Sequence, residues 1–418
     1  MASHTLTTRP LTTRRDLLAA GVGSLVLAST TPRAQTNDNA VVPFTYRASD
    51  EALADLRRRL ERTRWPEHET GQGWEQGPPL RKLQQLVAYW RTDYAWRRCE
   101  AELERWPQFK TTLDGLGIHF VHVRSRHPNA LPIILTHGWP STVLLFRNVI
   151  GPLTDPTAHG GTAADAFDLI IPSLPGFGFS DKPVARGWNA ERTARAWAQL
   201  MQRLGYERYV AQGGDWGAFV TTAMAQQHAP GLAAIHLNFA QTVPDEIPGD
   251  LLPDQKRVID ALKAWRAKGA YFQLQATQPQ LAGYMLSDSP VAQAAWIYDI
   301  FNGGTGATGD PESVLARDAM LDEITLYWLT NSAASSARFY LEQKAALNGR
   351  NNPGVVDLPV GVSVFPHDLP AARSWASAVY PRLFYWNELD RGGHFASLEV
   401  PALFTEELRR CFRSLRNG

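Results

Sequence analysis

Gly213-Gly214-Asp215-Trp216-Gly217 separates a strand-like run, Tyr209-Val210-Ala211, from an apolar run that continues from Ala218 to Ala225 with helical character. A strand that passes into a helix within five residues has to fold as a sharp strand-turn-helix elbow with one side chain presented at its apex. Asp215 occupies that apex. Small residues are needed at Gly213 and Gly217, because a side chain at either would collide with the adjoining strand or helix. An ordinary glycine-rich turn would satisfy the same five residues, so the reading depends on what else the chain supplies.

It supplies partners in a telling order. After the strand-like Val360–Phe365 comes Phe365-Pro366-His367-Asp368-Leu369, and after the strand-like Leu383–Trp386 comes Arg391-Gly392-Gly393-His394-Phe395. Nucleophile, acid and base in that order is the pattern of an α/β-hydrolase, with Asp215, Asp368 and His394 in the three roles. Glu388 and Asp390 are rival acids by proximity to His394, but both precede the Gly-Gly turn and are expected to face solvent. No Gly-x-Ser-x-Gly occurs anywhere, which leaves serine chemistry a weak alternative.

An aspartate at the apex changes the reaction. A carboxylate attacks saturated carbon and becomes an ester, and the histidine then activates water against the ester carbonyl instead of deprotonating the nucleophile. The substrate needs a leaving group on carbon, either a halide or the oxygen of an epoxide ring. Halide calls for N–H donors such as Trp or Asn, whereas the alkoxide of an opened epoxide calls for proton donors such as tyrosine. A dehalogenase on the same machinery and a non-catalytic binding protein therefore stand as alternatives.

Leu131–Thr136 reads as a buried strand, and the turn His137-Gly138-Trp139-Pro140 follows it. The backbone N–H of Trp139, with that of Trp216, would form a two-donor oxyanion hole. His137 precedes the nucleophile and suits a loop-bracing role better than catalysis. Phe167–Pro172 is another buried strand, followed by Pro175-Gly176-Phe177-Gly178-Phe179-Ser180, a loop that either lines a pocket mouth or packs on the core. Ala233–Phe239 reads as the strand after the elbow helix, with His236 and Asn238 in packing and hydrogen-bonding roles.

Taken in order, His-Gly-Trp-Pro, Pro-Gly-Phe-Gly-Phe-Ser, Gly-Gly-Asp-Trp-Gly, Phe-Pro-His-Asp-Leu and Gly-Gly-His-Phe-Ala resemble the motifs of microsomal-type epoxide hydrolases, including the juvenile-hormone enzymes and fungal and bacterial relatives. The resemblance runs from about Val42 to the C-terminus. It implies an N-terminal domain peculiar to that group over 42–125, an α/β-hydrolase core over 126–418, and conversion of an epoxide to a vicinal diol through an aspartyl ester. It also implies two lid tyrosines that hydrogen-bond the epoxide oxygen. These match Tyr271, in Tyr271-Phe272-Gln273-Leu274-Gln275 ahead of Gln278-Pro279, and Tyr340, in Arg338-Phe339-Tyr340. Gln278 departs from the lysine of many relatives. Tyr284, Tyr298 and Tyr327 share the region, and nothing but the resemblance separates them from the chosen pair. The implied partners are a small apolar epoxide and water, with no cofactor and no metal; oligomeric state is left open.

The sequence of 418 residues is long enough for one large core with additions. Its formal charge of +1, with no basic block, argues against nucleic acid. Fourteen Trp suit an aromatic-lined pocket or plain packing. Cys99 and Cys411 match no metal spacing. Ser49 is a plausible helix N-cap ahead of Leu53, Leu56 and Leu60, Leu80–Trp106 is helical in pattern, and Gly117–Val123 reads as the first strand of the sheet. From 242 to about 358 the pattern is helical without strands, an insertion that forms a lid. Arg14-Arg15, followed by the apolar stretch Ala19–Ala28, resembles a twin-arginine export signal over 1–34, with cleavage after Ala28 or Ala34. The mature chain is then expected in the periplasm or outside the cell, without a membrane span.

Overall fold

A computed structural model describes residues 39–416 apart from 241, 308 and 351–353; the signal-like segment 1–34 lies outside the described residues. The apolar runs become the strands of a single sheet: β1 (Val42–Pro43), β2 (Gln108–Leu113), β3 (Leu116–Val123), β4 (Leu131–Thr136), β5 (Phe167–Pro172), β6 (Tyr209–Gly213), β7 (Leu232–Leu237), β8 (Val360–Val364) and β9 (Leu383–Glu388). Their spatial order is β1-β2-β3-β5-β4-β6-β7-β8-β9. Strands β1, β2, β3 and β5 pair antiparallel, and every pair from β5 to β9 is parallel. Parallel strands covered on both faces need continuous apolar runs, and β6 and β8 are buried throughout.

Gly117–Val123 is thus not the first strand. Two strands precede it, one only two residues long and the other, Gln-Phe-Lys-Thr-Thr-Leu, mixed in polarity. A local signal for the second was present. Asp114 and Gly115 stand at φ +48° and +75° between the paired Leu113 and Leu116, which is the two-residue Asp-Gly turn that closes a hairpin.

Segment 42–125 contributes these strands and also helices α1 (Asp50–Glu61), α2 (Leu80–Thr92) and α3 (Trp96–Leu103). Ser49 caps α1 by accepting the Ala52 N–H, and Leu56 and Leu60 are buried on its apolar face. On the core follow α4 (Ile150–Thr154), α5 (Ala190–Arg203) and α6 (Trp216–Gln226). The expected insertion consists of α7 (Pro253–Lys268), α8 (Ala270–Thr277), α9 (Pro279–Asp288), α10 (Pro290–Gly304), α11 (Arg317–Thr330) and α12 (Ala333–Leu347), with no strand among the described residues. Pro253, Pro279 and Pro290 open three of these helices, where the missing N–H costs no hydrogen bond. The chain closes with α13 (Arg373–Val379), α14 (Ala396–Glu399) and α15 (Pro401–Phe412).

One buried ionic cluster joins three parts of the molecule. Asp322 of α11 is fully buried and receives Arg147 from the core at 2.6 Å, Arg98 of α3 at 2.7 Å and the Tyr94 hydroxyl at 2.6 Å. Arg147 also binds Glu102 of α3 through its Nε at 2.9 Å. Several charged donors on each carboxylate are what a buried charge requires. The helices of the N-terminal segment thereby hold the lid from outside.

Candidate active site

Asp215 sits between β6 and α6 at φ +49° and ψ −128°, a conformation that a non-glycine residue adopts only under local constraint. The constraint is visible in the flanking glycines. A Cβ at Gly213 would lie 2.1 Å from the Gly217 carbonyl oxygen, and one at Gly217 would lie 1.9 Å from that of Thr136. The elbow therefore requires glycine at both ends. Its carboxylate reaches the turn after β4, where the Trp139 N–H donates to Asp215 Oδ1 at 2.8 Å. Trp216 is the first residue of α6, so its amide has no acceptor within the helix.

Asp368 and His394 reach Asp215 on two loops zipped together beyond the sheet. His367 and Gly393 form an isolated bridge, the His367 N–H donates to Gly392 O at 3.2 Å, and the His394 N–H donates to Gly304 O of the lid at 2.7 Å. This brings His394 Nδ1 within 2.8 Å of Asp368 Oδ1 and His394 Nε2 within 3.5 Å of Asp215 Oδ2. Asp368 Oδ1 also accepts the Leu369 N–H at 2.8 Å. Glu388 and Asp390 are exposed as expected, and Glu388 pairs with Arg257 at 3.2 Å. Burial acts to lower the pKa of His394, but the Asp368 charge and the bonds to Asp215 and Asp368 outweigh it and hold the imidazole well above its ordinary range.

Facing this triad from the lid are two phenols. Tyr271 of α8 stacks on Trp139 at 5.4 Å between centroids, and Tyr340 of α12 stands edge-on to Trp216 at 4.6 Å. Their rings are 6.4 Å apart. Burial, with the charge of Asp215 next, raises the pKa of both, so both hydroxyls keep their protons. The rival tyrosines are otherwise engaged. Tyr284 is exposed, Tyr298 donates to Glu312 at 3.3 Å, and Tyr327 donates to the Ser141 carbonyl at 3.2 Å. Phe272 packs between Trp265 and Tyr340, at 5.2 and 5.4 Å, and extends the aromatic wall.

Known families and proteins match this chain along most of its length. Residues 41–146 match the family described as epoxide hydrolase N terminus, and residues 132–277 match the α/β-hydrolase fold. A protein of Stigmatella aurantiaca named "Putative epoxide hydrolase" is 60% identical over 380 residues, which cover 90% of this chain and 86% of that one. Epoxide hydrolase 1 of Sus scrofa is 32% identical, covering 90% of this chain and 89% of its own. The chain belongs to the epoxide hydrolases. Among solved structures, the juvenile hormone epoxide hydrolase of the silkworm Bombyx mori superimposes with a TM-score of 0.81 at 27% identity, over 90% of this chain and 95% of that one.

Two further motifs of this epoxide hydrolase are structural. His137 is fully buried, its Nδ1 is 2.9 Å from Gly138 O, and its Nε2 accepts the Leu174 N–H at 3.2 Å. Burial lowers its pKa to about 4, so it is a neutral brace between the loops after β4 and β5. The loop Pro175–Ser180 is itself buried. The Ser335 hydroxyl of α12 donates to Gly176 O at 2.5 Å, and Phe177 packs on Phe339 at 6.0 Å. It therefore packs against the core, anchoring the helix that carries Tyr340. Gln212 and Asn238 border the site beside Asp215. Gln212 carries no signal of its own in the sequence, where it reads as one more residue of a buried strand.

Proposed function

We propose that Asp215 is the nucleophile of this epoxide hydrolase. Its carboxylate oxygen forms a bond to a ring carbon while the carbon–oxygen bond of the epoxide breaks. The departing alkoxide takes a proton from Tyr271 or Tyr340, whose hydroxyls remain protonated because of burial and the neighbouring Asp215 charge. In the second step His394, held by Asp368 at 2.8 Å, removes a proton from water that attacks the ester carbonyl. The Trp139 amide, already 2.8 Å from Asp215 Oδ1, and the Trp216 amide then receive the developing oxyanion. Collapse releases the diol, whose second hydroxyl takes its proton from His394, and the acid left on Asp215 gives its remaining water proton to the tyrosinate, which restores carboxylate and phenol. The single observation that carries this reading is the convergence of the Trp139 amide and the Asp368-bound imidazole on one elbow aspartate.

The test is repeated turnover in water carrying oxygen-18. Label should enter the Asp215 carboxylate; label found solely in the diol during first turnovers would rule out the ester. Styrene oxide assayed beside 1-bromobutane separates diol formation from halide release, and bromide without diol would restore the dehalogenase reading. The aromatic wall of Trp139, Trp216, Trp265 and Phe272 supports bulky apolar epoxides as the substrate class. A panel of terminal, disubstituted and terpene epoxides tests that assignment.

Export by the twin-arginine route is proposed on the sequence Arg14-Arg15 with its short apolar run. Replacing both arginines by lysine should retain the enzyme in the cytoplasm; unchanged fractionation of the variant would refute the signal.

A further inference from the structure

Gln212 is the penultimate residue of β6, three before the nucleophile in sequence. Successive side chains of a strand point to opposite faces. The Gly213 position faces α6, with Gly217 and Thr221 as its nearest neighbours, so Gln212 faces the other way, towards α14 and α15. There it is 1% exposed. Its Nε2 donates to Asn238 Oδ1 at 2.7 Å, while its Oε1 has no hydrogen-bond partner. A buried amide oxygen without a donor costs roughly 1–3 kcal/mol, so its position calls for a ligand that can donate.

A cavity of about 20 Å³ lies beside it. That is room for one water molecule and no more, since a single water needs roughly 10–15 Å³ by this measure. Asp215, His394, Gln212 and Asn238 all border the cavity, and the rest of its wall includes Leu145 and Phe404. None of the tyrosines or Phe272 borders it. The cavity is thus reached by the nucleophile and the base, and Trp139 stands between it and the aromatic wall of Trp216, Trp265 and Phe272, none of which borders it.

We propose that this cavity seats the water that hydrolyses the ester, and that Gln212 Oε1 accepts one of its two hydrogens. The other hydrogen then points to His394 Nε2 and a lone pair faces Asp215 Cγ. In the step itself the water oxygen bonds to Cγ and its proton passes to Nε2. The carbonyl electron pair moves to the oxygen held by the Trp139 amide. On collapse the bond from Cγ to the alkyl oxygen breaks, that oxygen takes the proton from His394, and the acid left on Asp215 gives the remaining water proton to the tyrosinate formed in the first half. Gln212 acts in this half of the cycle alone, as the group that orients the water. With Nε2 engaged by Asn238, Oε1 is the carboxamide atom left to accept a hydrogen bond. The inference rests on the roles proposed above for Asp215 and His394.

The experiment compares the parent, Gln212→Met, Gln212→Glu and His394→Gln in single turnovers with styrene oxide, following protein-bound ester by intact mass. Methionine keeps the length of the side chain without an acceptor, and glutamate restores one. Gln212→Met should alkylate at the parent rate and hydrolyse its ester roughly ten- to a hundredfold more slowly, so that ester accumulates. Gln212→Glu should accumulate much less. Hydrolysis by Gln212→Met at the parent rate, or alkylation that falls in step with hydrolysis, overturns the water assignment. If Gln212→Met does not fold, ester accumulation in Gln212→Glu as large as in His394→Gln overturns it equally. Ester present in His394→Gln and absent from Gln212→Met removes Gln212 alone, whereas no ester in His394→Gln removes the reading of Asp215 and His394 as well.

Discussion

His394 Nε2 lies 3.5 Å from Asp215 Oδ2 while its Nδ1 is held 2.8 Å from Asp368, so the imidazole stands between two carboxylates. Burial depresses its pKa, yet those two partners more than reverse the effect. In the proposed mechanism alkylation converts Asp215 into a neutral ester and removes one of them, so that His394 becomes available as base when the ester that needs it has formed.

The first prediction follows from this change of charge. Alkylation, which needs the Asp215 carboxylate, should vary little across the neutral range, whereas ester hydrolysis should fall as pH is lowered and His394 stays protonated. Rapid-quench measurement of the two half-reactions checks it, and parallel pH profiles would contradict it. Stability carries the same signature with a definite sign. A histidine whose folded pKa is raised contributes fully below its unfolded value near about 6.5 and loses that contribution as pH rises through the folded value. Parent protein should thus lose more stability on alkalinisation than His394→Gln, as read from denaturant midpoints.

The second concerns the lid phenols. Tyr271→Phe and Tyr340→Phe should each slow alkylation by roughly ten- to a hundredfold, and the double variant by far more, with hydrolysis of preformed ester hardly changed. Because Tyr284 is exposed and Tyr298 bonds Glu312, their phenylalanine variants should alkylate as the parent does. A larger effect at either would reassign the proton donors.

Asp322 carries the third. Removing its side chain leaves Arg147, whose own side chain is 6% exposed, without its buried partner. Asp322→Ala should destabilise the fold by about 3–5 kcal/mol, the range for breaking a buried ion pair. Urea unfolding at fixed pH measures it; a loss below about 1 kcal/mol, the size of a surface pair, would show that the cluster is solvated.

Gly217→Ala is the fourth. The new methyl would meet the Thr136 carbonyl at 1.9 Å, a backbone atom that cannot rotate away. The variant should lose at least about 3 kcal/mol of stability, at the upper end of overpacking costs, and should lose activity with it. Retention of both would mean that the elbow relaxes in solution.

The elements legible in the sequence are those in which local pattern and chemistry coincide. Gly213 to Gly217 announces its elbow because a strand and a helix meet within five residues, and no distant contact is needed to see it. Asp368 and His394 follow from their order along the chain, and the lid from a long helical stretch without strands. The hairpin at Asp114-Gly115 was equally local, although the mixed polarity of β2 concealed the strand before it.

Other features have their physical cause in the tertiary structure. Nothing in the spacing of Tyr271, Tyr284, Tyr298, Tyr327 and Tyr340 separates a proton donor from a core tyrosine, because the fate of each hydroxyl depends on how the lid helices pack. Glu388 and Asp390 lie nearer to His394 in sequence, yet Asp368 binds it because the loops after β8 and β9 pair through His367 and Gly393. Gln212 looks like strand filler until Asn238, 26 residues away, takes its amide nitrogen and leaves its oxygen without a donor, in a residue that lines a cavity with Asp215 and His394. The common reason is physical: periodicity records which face of an element is apolar, whereas a hydrogen bond between groups far apart in the chain exists only once the elements have been brought together.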